Sequence, residues 1–359
     1  MDWLLIIAAL FLAFNNGAND NFKGFATVWG SDTLSYRQAL ILATLATLAG
    51  SAASLMLADH LIQQFSGRGL VPTTIANSPA FITSVACGAA MTVFMATRFG
   101  FPISTTHALI GGLVGAGLGF VGTVNYNTLV QSFFVPMLLS PVVAASLAWL
   151  IYKTVGTRKM KADCLCVVES TTHTVAPAAL SATRGRVLMP SVVISDQAQC
   201  DAASVLAKTT VHSRLEKIHI GSAVTICFAR ALNDTPKLAA LLFAAQFTQQ
   251  KMPITLVAVS MAVGGLLFAR NVAITMSKKV TKLDDSQGLS ANLVTACVVL
   301  LASKFGLPVS TTHVSVGSIA GVGASAGTLN VQALRGVLLS WVATLPFAMA
   351  IAWLVSLFL

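Results

Sequence analysis

Long apolar segments that are almost free of charged residues dominate this chain. Only 9% of the 359 residues are Asp, Glu, Lys or Arg, and 55% are hydrophobic. A soluble domain carries about 25% charged residues, so these charges are too few to cover a soluble surface. Disorder is excluded as well, because it requires low hydrophobicity and high charge. Since a membrane-spanning helix needs about 20 apolar residues, the sequence predicts an all-α polytopic membrane protein.

The apolar segments form two groups of five, separated by a charged stretch. The first group covers about 3–29, 38–58, 78–97, 104–122 and 128–152, and the second about 218–246, 253–270, 287–303, 310–325 and 333–359. The stretch between the groups holds nine Lys or Arg residues and five Asp or Glu residues. We predict an N-terminal transmembrane repeat at 1–152, a charged cytoplasmic loop at 153–217, most simply a solvated linker, and a C-terminal transmembrane repeat at 218–359.

Two short motifs each occur twice. Residues 98–107, Arg-Phe-Gly-Phe-Pro-Ile-Ser-Thr-Thr-His, match residues 304–313 with seven of ten positions identical. The pattern Asn-Asp-x-x-Lys occurs at residues 19–23 and again at 233–237. Because both motifs keep their order and nearly their separation, the two groups of segments are interpreted as homologous halves.

The number of crossings in each half predicts how the halves are related. Five crossings are odd, and three remain if the third and fourth segments form a re-entrant helical hairpin. An odd number gives two inverted-topology repeats, as in many secondary transporters. The positive-inside rule places the loop in the cytoplasm and both termini outside, which leaves only Arg68, Lys251 and Lys304 in outer loops. An even number of crossings in each half would arise if the first segment enters the membrane without crossing it.

Five charged residues lie deep in the apolar segments: Asp20, Lys23, Arg230, Asp234 and Lys237. A charge at that depth costs several kcal/mol, so it is normally paired and functional. The set carries a net charge of +1. A divalent oxyanion would make it −1, and one Na⁺ or H⁺ would restore neutrality, so a cationic substrate is disfavoured. The alternative is a salt bridge from each Asp to the Lys three residues later, which would only pin the helix.

The Asn-Asp pairs predict a cation site. They interrupt the first and sixth apolar segments, and we expect helix breaks at about 15–20 and 230–234. Broken helices free backbone carbonyls that can coordinate Na⁺. Side-chain oxygens add hard ligands, so the predicted metal ligands are Asp20, Asp234, Asn19 and Asn233. A packing kink is the alternative interpretation of each break.

The Ser-Thr-Thr-His turns predict an anion site. Ser104 and Ser310 are suited to be N-caps, and the first-turn N–H groups of the helices that follow attract anions. Hydroxyls that bond only to their own backbone are the alternative. We expect His107 and His313 to hydrogen-bond around the site rather than contact the anion. The predicted substrate-binding residues are Ser104, Thr105, Thr106, Ser310, Thr311, Thr312, Asn19, Asn233, Lys23, Lys237 and Arg230.

Together, the doubled motifs resemble the inorganic phosphate transporter (PiT) family, which includes sodium–phosphate symporters. The resemblance covers both halves. It implies an inverted-repeat helical bundle with re-entrant hairpins, in the lipid bilayer of the cell membrane and as a homodimer. The implied activity is uptake of inorganic phosphate, with Na⁺ or H⁺ as coupling ion and with neither another cofactor nor a nucleic acid. The family's phosphate and Na⁺ sites carry over to the Asn-Asp and Ser-Thr-Thr residues named above.

Two departures from the family pattern add positive charge. Lys23 stands where the first motif usually ends in Asn, and Arg230-Ala231 stands where the second motif usually has His-Gly. Our hypothesis is that Lys23 replaces one bound Na⁺, which would give weaker sodium coupling or proton coupling. The added charge also leaves sulfate or another tetrahedral oxyanion as an alternative substrate. An intramembrane hydrolase and a passive anion channel are less favoured. Each motif Ser is only three residues from its His and occurs in both halves, which suits a two-sided binding site better than a hydrolase.

Overall fold

The computed structural model separates into two compact units, Met1–Thr157 with His219–Leu359, and Arg158–Ile218. The first unit is a body of helices, and the second contains a small β-sheet. The structure describes residues 2–57, 62, 65–67, 69–155, 164–171, 188–195, 205–210, 214–243, 251–279 and 283–359. The boundaries predicted for the two repeats at 152 and 218 stay a prediction.

Ten long helices of the described chain correspond, in order, to the ten predicted apolar segments. They are α1 Asp2–Asp20, α2 Tyr36–Leu57, α3 Pro79–Arg98, α4 Thr105–Val121, α5 Val135–Val155, α6 Arg214–Phe243, α7 Met252–Phe268, α8 Asp285–Lys304, α9 Thr311–Ala326 and α10 Val331–Ser356. Short helical turns occur at Lys23–Phe25, Ala26–Gly30, Thr73–Ala76, Tyr126–Thr128, Leu129–Phe134, Arg270–Ile274 and Thr275–Lys279.

Six helices of the described residues are long and apolar enough to cross a membrane. They are Trp3–Gly30, Tyr36–Met56, Pro79–Arg98, Tyr126–Thr154, Asp285–Lys304 and Val331–Ser356. A seventh span results if Met252–Phe268 and Arg270–Lys279, which meet at a bend of 65°, are one broken helix. The chain is therefore a polytopic helical membrane protein, as the sequence predicted.

Each half packs one helix of its hairpin against a long helix of the other half. Helices α3 and α4 pack together as one hairpin, and α8 and α9 form the equivalent hairpin of the second half. Helix α4 then packs on α10 of the second half, while α9 packs on α5 of the first. The end of each hairpin turn lies inside the protein, since Ile103 and Val309 are at most 4% exposed, whereas Phe99 and Phe305 earlier in the turns are exposed. The reciprocal packing agrees with the predicted re-entrant hairpins and inverted repeats.

Gly17 and Gly264 allow α1 and α7 to touch backbone to backbone. A Cβ atom on Gly17 would lie 1.9 Å from the Met261 carbonyl oxygen, and one on Gly264 would lie 1.9 Å from the Phe14 carbonyl oxygen. Small residues at such crossings are typical of membrane helices, where van der Waals contact drives association. Gly17 is therefore explained by close packing and not by a helix break.

The helix breaks expected at about 15–20 and 230–234 are wrong: the first lies after Asp20, and the second is absent. Helix α1 continues through Asp20 and ends before a turn that leads into the 3₁₀ helix Lys23–Phe25. Helix α6 runs without interruption from Arg214 to Phe243, although it contains Pro236. Local sequence favoured a break, because Asn and Asp side chains compete for backbone hydrogen bonds. Here those side chains bond to other elements instead, so the helical backbone is kept.

The predicted charged loop contains regular structure that the sequence reasoning missed. Strands β1 Cys164–Thr171, β2 Leu188–Ser195 and β3 Val205–Thr210 form an antiparallel sheet in the order β2-β1-β3. Cys164 pairs with Ser195 of β2 and with Thr210 of β3. A solvated linker is therefore not the whole description of residues 153–217, because residues 164–171, 188–195 and 205–210 pair as strands.

We expect Gly17→Ala to destabilise the helical body, because the added methyl group has no space against Met261. Overpacking of this kind costs about 1–3 kcal/mol. Gly336→Ala is the matched control, since nothing lies within 4 Å of a Cβ atom at Gly336. Thermal unfolding of both variants in detergent micelles measures the difference. Equal melting temperatures would contradict the close crossing of α1 and α7.

Candidate functional site

A buried cluster of charge lies where the hairpin tips meet α1 and α6. Its members are Asp20, Lys23, Arg230, Asp234 and Lys237, each at most 4% exposed. Hydroxyl and amide residues of both halves surround them, and no predicted site residue is more than 7% exposed. Charge that is this deeply buried is stable only when it is paired and hydrogen-bonded, so the partners define the site.

The Lys23 ammonium group is surrounded by oxygen atoms from both halves. Its Nζ donates to the Asp20 carboxylate and, at 2.9 Å, to the amide oxygen of Asn19. It also donates to the Ile103 carbonyl at 2.9 Å, on the tip of the first hairpin. The fourth acceptor is the Thr312 hydroxyl at 2.6 Å, which belongs to the second half. Lys23 thus connects α1 to both hairpins.

Lys237 repeats this arrangement with the halves exchanged. Its Nζ donates to the amide oxygen of Asn233 and, at 3.2 Å, to Asp234 Oδ1. It also donates to the Val309 carbonyl at 3.0 Å and to the Thr106 hydroxyl of the first half at 3.1 Å. The Asp–Lys salt bridges are present, as expected if the pairs served only to stabilise their helices. Each lysine also donates to a threonine of the opposite half, however, so this role alone does not describe them.

The two asparagines are held by a second hydrogen bond on their amide nitrogens. Asn19 Nδ2 donates to the Thr97 hydroxyl at 2.9 Å, and Asn233 Nδ2 donates to the Ser303 hydroxyl at 2.8 Å. Thr97 and Ser303 are the last residues before the matching 98–107 and 304–313 motifs. Since the nitrogen is engaged, each amide oxygen is directed toward its lysine.

Arg230 is the charged residue without a counterpart in the other half. Its Nη2 donates to the Thr47 hydroxyl at 2.7 Å, and its Nη1 lies 4.0 Å from Asp234 Oδ2. Nη1 also lies 3.5 Å from the amide oxygen of Asn16. The Nε–H group has no acceptor among the described residues, although it is buried. A guanidinium group with a free buried N–H can donate a hydrogen bond to an anionic oxygen.

Asn16 is a site residue that the sequence reasoning missed. Its side-chain nitrogen donates to the Thr105 hydroxyl at 2.9 Å and lies 3.3 Å from Asp20 Oδ2. It precedes Asn19 by three residues, as Arg230 precedes Asn233. Extending the repeat by one helical turn would have identified it. Thr47 and the two tip carbonyls carry no such sequence signal.

The serines of the Ser-Thr-Thr motifs cap helices, as predicted. Ser104 Oγ accepts from the backbone N–H of His107 at 3.1 Å, and Ser310 Oγ accepts from that of His313 at 3.2 Å. The Thr311 hydroxyl lies 3.5 Å from Asp234 Oδ2. Both helix N-termini therefore begin beside the charged cluster. Anion binding by these residues stays a prediction.

The two histidines that follow the threonines contact one another. The His107 and His313 rings are nearly perpendicular, with centroids 4.4 Å apart. His313 also stacks on Trp341 at 3.7 Å, and the Trp341 indole donates to the Pro102 carbonyl at 3.2 Å. The rings thus pack behind the hairpin tips. Their predicted role in hydrogen-bonding around the site is not tested by these contacts.

The oxygen groups around the lysines belong to Asp, Asn and Thr side chains and to the peptide backbone. No three His, Cys, Asp or Glu side chains gather in the part of the chain that the structure describes. Each lysine is instead surrounded by one carboxylate, one amide oxygen, one peptide carbonyl and one hydroxyl. Oxygen ligands of these kinds suit hard cations.

Comparison with known proteins identifies the family. Residues 16–352 match the model of the Phosphate transporter family. The chain belongs to this family. A protein of Thermococcus kodakarensis named "Putative phosphate permease" is 28% identical over 398 aligned positions, covering 98% of this chain and 96% of the relative. The Arabidopsis thaliana protein "Inorganic phosphate transporter 2-1, chloroplastic" is 26% identical, covering 98% of this chain and 71% of the relative.

A solved structure has the same fold. "The sodium-dependent phosphate transporter" superposes with a TM-score of 0.76 at 23% identity, covering 99% of this chain and 98% of the other. Membership of this transporter family confirms the PiT resemblance. It also excludes the hydrolase interpretation, since the chain is a transporter and not an enzyme.

We expect Lys237→Met to destabilise the protein strongly, because the buried Asp234 carboxylate loses the ammonium group that lies 3.2 Å from it. Breaking a buried ion pair in this way costs about 3–5 kcal/mol. Lys278→Met is the matched control, since Lys278 pairs with Asp32 at 2.8 Å in an exposed position. Removing an exposed pair costs about 0–1 kcal/mol. Unfolding in mixed micelles measures both, and equal losses would contradict the assigned burial.

Proposed function

We propose that this protein transports inorganic phosphate across the cell membrane as a secondary active transporter. The observation that carries the proposal is Arg230, a buried guanidinium group with a free Nε–H. Asp20 and Lys23 form one neutral pair, and Asp234 and Lys237 form another. Arg230 therefore leaves the cluster with one net positive charge, which an anion balances.

The protonation state of phosphate determines whether a cation must bind with it to balance the charge of the cluster. Dihydrogen phosphate carries one negative charge and would neutralise the cluster as it stands. The divalent form would leave an excess negative charge, which is costly in a buried site. One cation bound with it restores neutrality. The driving gradient in this proposal is accordingly that of Na⁺ or H⁺.

The helix N-termini supply donors that suit a tetrahedral oxyanion. Helices α4 and α9 begin beside the cluster, and their first turns carry Thr105, Thr106, Thr311 and Thr312. Backbone N–H groups and the helix dipole at an N-terminus attract phosphate without further charge. Hydroxyl donors on the same turns add contacts, so the site can hold several phosphate oxygens at once.

Alternating access explains why the site is built from both halves. Lys23 donates to Thr312 and Lys237 donates to Thr106, so movement of one half relative to the other breaks contacts around the substrate. A separate network joins His219 to Thr27 at 2.9 Å and to Asp285 at 3.0 Å. This network lies toward the beginnings of α6 and α8 and would have to open for access from that end.

The test of the proposal is uptake of radiolabelled phosphate into proteoliposomes under Na⁺ and H⁺ gradients. We expect accumulation above the outside concentration, which also separates transport from a passive channel. Arg230→Gln should reduce uptake by about tenfold or more, the effect of losing a charge-assisted hydrogen bond. Arg335→Gln is the matched control, because Arg335 is exposed. Full uptake by Arg230→Gln would contradict the proposed anion site.

Sulfate is the second candidate substrate, because the net positive charge and the helix N-termini suit any tetrahedral oxyanion. Sulfate stays divalent at neutral pH, so it would need one cation bound with it, as divalent phosphate would. Competition in the same assay distinguishes the two. Phosphate uptake that excess unlabelled sulfate leaves unchanged supports phosphate, whereas sulfate uptake with the higher apparent affinity reverses the assignment.

The proposed orientation places residues 153–217 in the cytoplasm and both termini outside. Thr73 and Lys153 are exposed, and the proposed orientation places them on opposite sides of the membrane. In a cysteine-free background, we expect a membrane-impermeant maleimide to label Thr73→Cys in intact cells but Lys153→Cys only after permeabilisation. The reverse pattern would invert the assignment. The homodimer implied by the resemblance is checked by native mass measurement in lipid nanodiscs.

A further inference from the structure

Each buried lysine lies in a cage of four oxygen atoms. For Lys23, the three acceptors with resolved distances are the Asn19 amide, the Ile103 carbonyl and the Thr312 hydroxyl, at 2.6–2.9 Å. Asp20 supplies the fourth. We call this set the first cage. The second cage surrounds Lys237 with the same four chemical groups: Asp234, Asn233, Val309 and Thr106.

The number of oxygens exceeds what an ammonium group can use fully. A lysine ammonium has three N–H donors, whereas each cage offers four acceptors at hydrogen-bonding distance of Nζ. A spherical cation, by contrast, uses every surrounding oxygen at once. Carboxylate, amide, peptide carbonyl and hydroxyl oxygens are also the mixture that hard cations select. Each cage therefore has the composition of a cation site.

The sequence places the ammonium group in its cage by helical spacing. Lys23 follows Asn19 by four residues and Asp20 by three, so its side chain lies over both in one turn of the chain. The second motif has the same spacing, and its helix is continuous. The same position in both halves thus carries a lysine that points into its own Asn-Asp pair.

We propose that Lys23 and Lys237 are tethered cations that fill two symmetry-related cation cages in place of Na⁺. A free Na⁺ does not fit either cage, because the ammonium nitrogen already lies among its four oxygens. Asp20, Asn19, Asp234 and Asn233 remain cation ligands, but the cation is a side chain of the protein. It follows, if the proposed transport function holds, that phosphate uptake does not require Na⁺ and that H⁺ is the coupling ion.

Removing the ammonium group should convert each cage into a Na⁺ site. The variant Lys23→Asn leaves Asp20 and three neutral oxygens around a cavity, and Lys237→Asn does the same in the second half. We expect the apparent melting temperature of both variants to rise with Na⁺ concentration when choline is the reference cation, because a bound ion stabilises the folded state by mass action. The wild-type protein should show no such rise.

Two controls make this stability test specific. Lys278→Asn removes an exposed lysine that pairs with Asp32 and should gain no Na⁺ response. The double variant Lys23→Asn/Asp20→Asn lacks the caged carboxylate and should lose the response of Lys23→Asn. If a variant folds only in NaCl, exchange into choline chloride should unfold it, which is the same result in stronger form. Stability that is insensitive to Na⁺ in both lysine variants would overturn the proposal.

A transport assay tests whether phosphate uptake depends on Na⁺. In proteoliposomes, we expect wild-type phosphate uptake to be equal in Na⁺ and choline and to follow an inward H⁺ gradient. Uptake by Lys23→Asn should fall about tenfold when choline replaces Na⁺, the effect expected for a lost charge-assisted contact. Wild-type uptake that collapses in choline would overturn the proposal. If the wild type carries neither phosphate nor sulfate, the proposed function fails, and the Na⁺ stability comparison still decides whether the lysines fill cation sites.

Discussion

A charged ammonium group in the protein interior requires oxygen atoms on all sides, and this constraint organises the molecule. Neither lysine finds enough partners on its own helix, because the Asn-Asp pair supplies only two acceptors. The remaining acceptors come from a hairpin tip and from a threonine of the opposite half. The low dielectric of the interior makes any missing partner costly. The hairpin tips must therefore meet at the centre, which is what the reciprocal packing of the two halves achieves.

The repeated motif and the one position that differs between the halves contribute differently to the charge of the site. Each Asp–Lys pair is neutral, so the repeated part of the site carries no net charge. At the position where the first half has Asn16, the second half has Arg230. This single difference gives the buried cluster its positive charge. The repeated motif thus forms the framework of the site, and the one position that differs gives the site the positive charge on which the proposed anion binding depends.

The cages also connect binding to movement of the halves. Every cage includes a threonine from the other half, and the two threonines lie on the first turns of α4 and α9. These are the same helix ends that suit an oxyanion. In the proposed alternating-access mechanism, a substrate bound there would contact groups that separate when the halves move. The close crossing of Gly17 and Met261 joins α1 of the first half to α7 of the second, so these two helices have little freedom to move independently.

The sequence alone determined the class of the protein, the ten helices, the helix caps at Ser104 and Ser310, and the five charged residues that gather at the centre. These follow from hydropathy and from repeated local motifs, which report what each segment favours. Only the tertiary structure decided that α6 stays continuous, that the chain leaves α1 after Asp20, and that Ile103 and Val309 present their carbonyls to the lysines. A backbone carbonyl has no sequence signature. Whether a polar side chain breaks its own helix depends on the partners that other elements bring to it.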